Sequence, residues 1–211
     1  MTAHRSTIRR AAAGAAAAAA AVLLAACGGG DESSSGHGGH APSAPSASTS
    51  ASAQEGKHNA ADVAFAQGMI PHHRQAVEMA DLAATRAGSA DVKALAAEIK
   101  KAQDPEIKTL SEWLTSWGED VPKDDEGGEH AGHSMSGMMT PEEMGELEKA
   151  SGEAFDTAFL KMMIKHHEGA VDMAKTEQAD GSYQPAKDMA GDIVTSQSAE
   201  ITRMNELLGK N

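Results

Sequence analysis

The segment FAQGMIPHHRQAVEMA, Phe65–Ala80, returns 94 positions later as FLKMMIKHHEGAVDMA, Phe159–Ala174. The chain therefore carries an internal duplication, and the duplicated feature is a pair of adjacent histidines beside methionines. At 100 degrees per residue, Phe65, Met69, His72, His73, Ala76, Met79 and Ala80 fall on one helical stripe. Both histidines of the first copy thus point into a core or close to it, and the second copy repeats the arrangement. An imidazole taken from water into a core loses its hydrogen bonds unless it finds partners, so four of them call for an explanation.

The offset persists beyond these segments. Lys93, Ala96, Ile99 and Gln103 match Lys187, Ala190, Ile193 and Gln197, and Glu106, Ile107, Glu112 and Leu114 match Glu200, Ile201, Glu206 and Leu208. From about Asn59 onward the apolar residues keep helical spacing, with few aromatics and no strand-like alternation. Breakers and caps predict four helices. The first spans 59–87 and ends near Gly88. The second spans 90–117, with Ser89 as N-cap and Gly118 as its stop ahead of Pro122. The third starts at the capping box Thr140-Pro141-Glu142-Glu143 and runs to about Gln178, and the fourth spans 184–208. Pro105 is expected to kink or split the second helix. The predicted fold is all-α: a four-helix bundle of two duplicated hairpins, 59–118 and 140–210, in which helices 1 and 3 run parallel with their histidines at one level.

Imidazole and thioether are ligands for soft or borderline transition metals, copper above all. Met69 precedes His72 and His73 by about 4.5 to 6 Å of helical rise, within reach of one ion, whereas Met79 lies about 10 Å beyond His72 and reads as core. The same spacing selects Met163, His166 and His167 over Met173. These six residues are the candidate metal ligands, as a mixed nitrogen and sulfur site for Cu(I) or as imidazole alone for Cu(II). Gln103 and Glu106, with Gln197 and Glu200, sit on the apolar stripes of the second and fourth helices, where they are candidates to orient the histidines from behind.

The chain begins with Arg5, Arg9 and Arg10, then an alanine-dominated apolar run to Ala26 and the only cysteine, Cys27. Residues 1–26 have the pattern of an export signal. The small residues before Cys27 resemble a bacterial lipobox, which implies cleavage there, acylation of Cys27 and a lipid-anchored, extracytoplasmic protein. Loss of those three arginines and no acid moves the formal charge from -13 to -16. Such a surface repels nucleic acid and attracts cations. Residues 27–58 are rich in Gly, Ser, Ala and Pro, too poor in apolar side chains to fold alone, and read as a tether. The domain is then 59–211, with a linker at 119–139 whose His130, His133, Met135, Met138 and Met139 form an auxiliary candidate metal tract.

The pattern Met-Ile-x-His-His-x-x-Ala-x-x-Met-Ala, present at Met69–Ala80 and Met163–Ala174, resembles the hallmark of a family of secreted bacterial proteins catalogued as a domain of unknown function. That family includes copper-binding, metallochaperone-like members. The resemblance extends over about residues 60–208, including the Gln-x-x-Glu-Ile segments at Gln103 and Gln197. It implies a ferritin-like bundle and a role in copper handling. One departure is Lys165, which stands where the first copy has Pro71.

The reading that follows is a non-enzymatic, membrane-tethered protein that buffers, sequesters or hands on copper, its partners being the metal, the membrane through a lipid, and a donor or acceptor protein. A ferritin-like metal oxidase is the alternative from the enzyme class, but its carboxylate sites use Glu-x-x-His pairs, and neither histidine pair here has a glutamate three residues earlier. A metal-free bundle that binds partners is the third. Nucleophilic catalysis and nucleotide binding find no supporting motif.

Overall fold

The computed structural model describes residues 57–123 and 136–209. Five helices follow one another: α1 (Ala60–Arg86), α2 (Ala90–Trp117), α3 (Pro141–Lys149), α4 (Glu153–Asp180) and α5 (Gln184–Leu208). Local chemistry explains their ends. Asn59 caps α1 by accepting from the Ala61 and Asp62 N–H groups while Asp62 accepts from the Asn59 N–H, a reciprocal box repeated by Thr140 and Glu143 at α3. Ser89 caps α2, and Gly118 ends it with φ of 78°, a conformation that glycine adopts without strain.

Two expectations about the helices are corrected. The single helix expected from Thr140 to about Gln178 is two, because α3 closes at Ala150 and the chain turns through Gly152, at φ 62°, before α4. The break is held in place by the Gly152 N–H, which donates to the Arg86 carbonyl at 2.8 Å. Pro105, in turn, does not split α2, which is continuous from Ala90 to Trp117.

The third correction concerns direction. Asn59 and Asp62 at the start of α1 bind the turn after α4, with the Asn59 amide donating to the Asp180 carbonyl at 2.9 Å and the Tyr183 N–H to Asp62 at 2.9 Å. At the other end Asp156, near the start of α4, accepts from the Gly88 and Ser89 N–H groups after α1, at 3.0 and 2.7 Å. Helices α1 and α4 are therefore antiparallel. Their histidines still lie level, because the pairs sit near the midpoints of helices of 27 and 28 residues. Antiparallel packing of the two hairpins means that the chain leaves α2 at one end of the bundle and must enter α4 at the other. The connection through α3 runs the length of α1, with Asp120 accepting from Gln67, Pro122 from Arg74, Met139 from Gln75, and Gly152 reaching Arg86.

Helix α1 packs on α2 and α4, and α4 packs on α5. Two apolar clusters result, one either side of the histidine level. One gathers Ala76, Met79, Leu95, Ile99, Phe155, Phe159, Met163 and Met204; the other Phe65, Met69, Ile70, Leu110, Leu114, Ala170, Ala190 and Ile193. Full burial of side chains of this size contributes roughly 1.5–3 kcal/mol each.

Asp62 and Asp156 are repeat-equivalent, yet their surroundings differ. Glu177 stands near Asp62, where the first half has Ala83 at the matching position. Burial, then the hydrogen bond and charge of Asp62, push the Glu177 carboxyl up to about 8. For Asp62, burial acts upward but is outweighed by hydrogen bonds from Glu177 and from the Tyr183, Asn59 and Ser182 backbone, which hold its carboxylate below the usual value. Glu177 is thus a neutral acid at pH 7 beside Asp62, with neither of its oxygens taken up by another hydrogen bond. A carboxyl whose native value is raised binds a proton that the unfolded chain has lost, so stability falls as pH climbs from about 4.5 to about 8. Glu177→Gln, which stays uncharged at any pH, is expected to melt a few degrees above the wild type at pH 8.5, with the gain vanishing toward pH 4.5. Parallel melting curves across that range would show that Glu177 carries no such proton.

Candidate metal centre

The polar waist between the two apolar clusters consists of His72 and His73 from α1 and His166 and His167 from α4, all four completely excluded from solvent. Neighbouring residues on a helix diverge by about 100 degrees, so the members of each pair look in different directions. The first members meet across the α1–α4 interface, where the His72 and His166 ring centroids are 3.7 Å apart at 39°. The second members turn to their own hairpin. His73 Nε2 lies 2.7 Å from Glu106 of α2, and His167 Nε2 lies 2.7 Å from Glu200 of α5. The two glutamates are themselves repeat-equivalent and half-buried.

Counting donors and acceptors shows what these rings can do. A neutral imidazole has one N–H and one lone pair. A carboxylate only accepts, so His73 and His167 each donate from Nε2, and their Nδ1 atoms are left without a partner. The same holds for His72, whose Nε2 donates to the Ser136 carbonyl at 3.2 Å. His166 has no partner on either ring nitrogen, and Nδ1 is unpartnered in all four rings. Leaving a buried acceptor unsatisfied costs about 1–3 kcal/mol, so a waist built this way is expensive unless something occupies those lone pairs.

Protonation would fill them at a greater cost. Burial first, then the neighbouring His73, push His72 down to about 3, against a smaller upward effect of the Ser136 carbonyl. His166 is held well below its ordinary value by burial and then by His72, His167 and His73. Both rings are therefore neutral at pH 7, the form in which imidazole binds a metal. A ring whose second nitrogen donates to a carboxylate or carbonyl is fixed in orientation and made a better ligand, and three of the four rings are held this way.

Met69 and Met163 are completely buried, one in each apolar cluster, immediately before the histidine pairs. Among the described residues, no three His, Cys, Asp or Glu side chains converge as a ready-made metal cage. The geometry accounts for this: His72 and His166 meet with their rings tilted at 39°, while His73 and His167 face away toward their glutamates. The four rings therefore do not form a closed cage of nitrogens.

Of the remaining candidates, Gln103 and Gln197 lie buried one helical turn before Glu106 and Glu200, with unpartnered side-chain carbonyl oxygens. Met79 is core, and Met173 is half-buried. Met139 belongs to an apolar cluster beside Met144, and Met138 is half-buried. His130, His133 and Met135, Cys27, the expected signal and most of the expected tether fall outside the described residues. Sequence reasoning missed Ser136, which acts through a backbone carbonyl and so leaves no mark on residue type. It also missed Gln75, whose side chain binds the Met139 backbone. The one available signal was the mismatch of Gln75 with Gly169 at the matching position of the second copy.

Several solved structures share this architecture. A DUF305 protein from Streptomyces coelicolor, described as a candidate secreted protein, is 33% identical with a TM-score of 0.65, covering 71% of this chain and 93% of its own. CopM in its Cu(II)-bound form is 34% identical with a TM-score of 0.62, covering 71% of this chain and 96% of its own. CopM has also been solved with Cu(I) and with Ag bound. A DUF305 fragment from Deinococcus radiodurans is 30% identical with a TM-score of 0.65, covering 72% of this chain and 98% of its own. No curated protein is a significant match. The model of the domain of unknown function DUF305 matches residues 62–208, which takes in both histidine pairs and both glutamates, and the chain belongs to that family.

Proposed function

We propose that this protein binds copper outside the cytoplasm and buffers it or hands it on, with no catalytic step of its own. The observation that carries the reading is the set of four buried imidazoles with unpartnered Nδ1 atoms, set between two buried thioethers. His72, His73, His166, His167, Met69 and Met163 are the proposed ligands. Glu106, Glu200 and the Ser136 carbonyl fix the rings from behind. CopM, a relative solved with Cu(I), Cu(II) and Ag, supports both the metal and the softness of the site. The acidic chain, with a formal net charge of -13, favours the approach of cations.

For location, the candidate secreted relative supports export, and the N-terminal sequence supports an acylated Cys27 as the anchor. No helix among the described residues is long and apolar enough to cross a membrane. Mass spectrometry of the envelope-derived protein is expected to show a chain that starts at a lipid-modified Cys27, and Cys27→Ser is expected to leave the signal uncleaved. An unmodified cysteine on the exported wild type would refute the anchor.

Titration with Cu(I) and Cu(II) tests the centre. The wild type is expected to bind and to gain stability, by about 2.7 kcal/mol at a free metal concentration 100 times the Kd. Changing His72, His73, His166 and His167 together to alanine is expected to abolish that gain, and equal uptake by both proteins would end the reading. The near-isosteric pair Met69→Leu and Met163→Leu is expected to weaken Cu(I) at least tenfold while changing Cu(II) much less. Equal losses for both ions would show that the thioethers are not ligands.

The metal-free protein is also expected to lose stability in acid. Histidines whose native values are depressed bind fewer protons than the unfolded chain, so for His72 the loss runs from about 6.5 down to about 3. Glu177 acts in the opposite sense over part of this range, so the check is made in the Glu177→Gln background, where a melting temperature that stays level between pH 7 and pH 5 would contradict the buried neutral state.

A further inference from the structure

The connection from α2 to α4 passes directly over the His72–His166 contact, and its contacts there are those of a fastener. Ser136 is exposed and its carbonyl accepts from His72. Three residues later, Met139 is clasped by Gln75, whose amide donates to the Met139 carbonyl at 2.9 Å and accepts from the Met139 N–H at 2.7 Å. Between these points the backbone presses on α4. A Cβ at Gly169 would lie 2.0 Å from the Ser136 oxygen and 3.0 Å from the Gly137 Cα. Gly137 has φ of 84°, and a Cβ there would lie 2.6 Å from the Lys165 carbonyl oxygen and 3.0 Å from that of His166. Only two glycines facing each other allow this approach.

Gln75 and Gly169 occupy matching positions of the repeat, each three residues after the first histidine of its pair. One copy thus carries a clasp and the other a hollow, at the same level of two antiparallel helices. Elsewhere the waist is closed by whole helices, since α2 and α5 bring Glu106 and Glu200 against His73 and His167. Over His72 and His166 the cover is a short non-helical stretch, turning at Ser136–Gly137, held by three hydrogen bonds. Such a segment opens far more readily than a helix, which must give up many bonds at once.

We propose that Ser136–Met139 is a latch over the metal centre, that Gln75 is its positioning residue and Gly169 its seat, and that its opening admits and releases the ion. This rests on the copper-binding reading above. While the latch is closed, the Ser136 carbonyl keeps the His72 proton on Nε2 and the lone pair on Nδ1. The latch thus sets the form of the ligand as well as the path to it.

The test uses the full chain, with Cu(I) as the probe and a Cu(I)-chelating dye in excess, comparing the wild type with Gln75→Ala and Gly169→Ala. Both variants are expected to take up and release Cu(I) at least tenfold faster, with the Kd changing less than either rate. In the metal-free variants, the nitrogen-15 signals of His72 are expected to move from a single Nε2–H tautomer toward a mixture. Gln75 is only half-buried, so Gln75→Ala decides the matter if Gly169→Ala does not fold. Wild-type exchange rates in the folded variants of a protein that does bind Cu(I) would overturn the latch alone. A wild type that binds no Cu(I) would overturn the latch together with the copper reading.

Discussion

The antiparallel meeting of α1 and α4 at their midpoints is the constraint from which the other features descend. It sets His72 against His166, divides the apolar interior into two clusters, and leaves the second histidine of each pair to its own hairpin. It also dictates the path of the chain. Had the two helices been parallel, a short turn at one end could have joined the hairpins. Because they oppose one another, the connection must travel the whole length of α1, and on the way it crosses the histidine layer of the core.

Against this near-symmetry, the departures carry information. Asp62 and Asp156 do the same work at opposite ends, each accepting N–H groups from the turn of the other hairpin. His73 with Glu106 and His167 with Glu200 are equally well matched, down to the same 2.7 Å separation. One departure comes from a segment outside the repeat and the other from a mismatch within it. Ser136 partners His72 and leaves His166 with nothing, and Glu177 brings a second carboxyl beside Asp62 where Ala83 leaves Asp156 alone. The two halves of the metal centre are thus alike in residue type and unlike in hydrogen bonding.

Much of this could be read from residue order. The 94-residue offset, the inward stripe from Phe65 to Ala80 and the capping box at Thr140 are local signals, and each corresponds to a feature of the fold. The burial of all four histidines, and the contacts of two of them with Glu106 and Glu200, follow from helical periodicity carried through both copies. Helix direction was not legible, because a duplication is equally compatible with parallel and antiparallel packing. The break at Gly152 does carry a local mark, the turn-favouring pair Ser151-Gly152, but a single glycine is tolerated in many helices, and the break is fixed from a distance by the Arg86 carbonyl. Pro105 misled in the other direction: the penalty of a proline within a helix is local, and the packing of Ile99, Gln103, Leu110 and Leu114 around it carries α2 through.

The positions of His72 and His166 in the chain give their contact a topological meaning. One lies in each hairpin, so any single ligand that grips both rings ties together points 94 residues apart. Closing a loop of that size removes conformational freedom from the unfolded polypeptide, as a disulfide between the same positions would. With only one cysteine, the chain has no internal disulfide to do so. A bound ion would be its reversible staple, fastened when the ion arrives and undone when it departs.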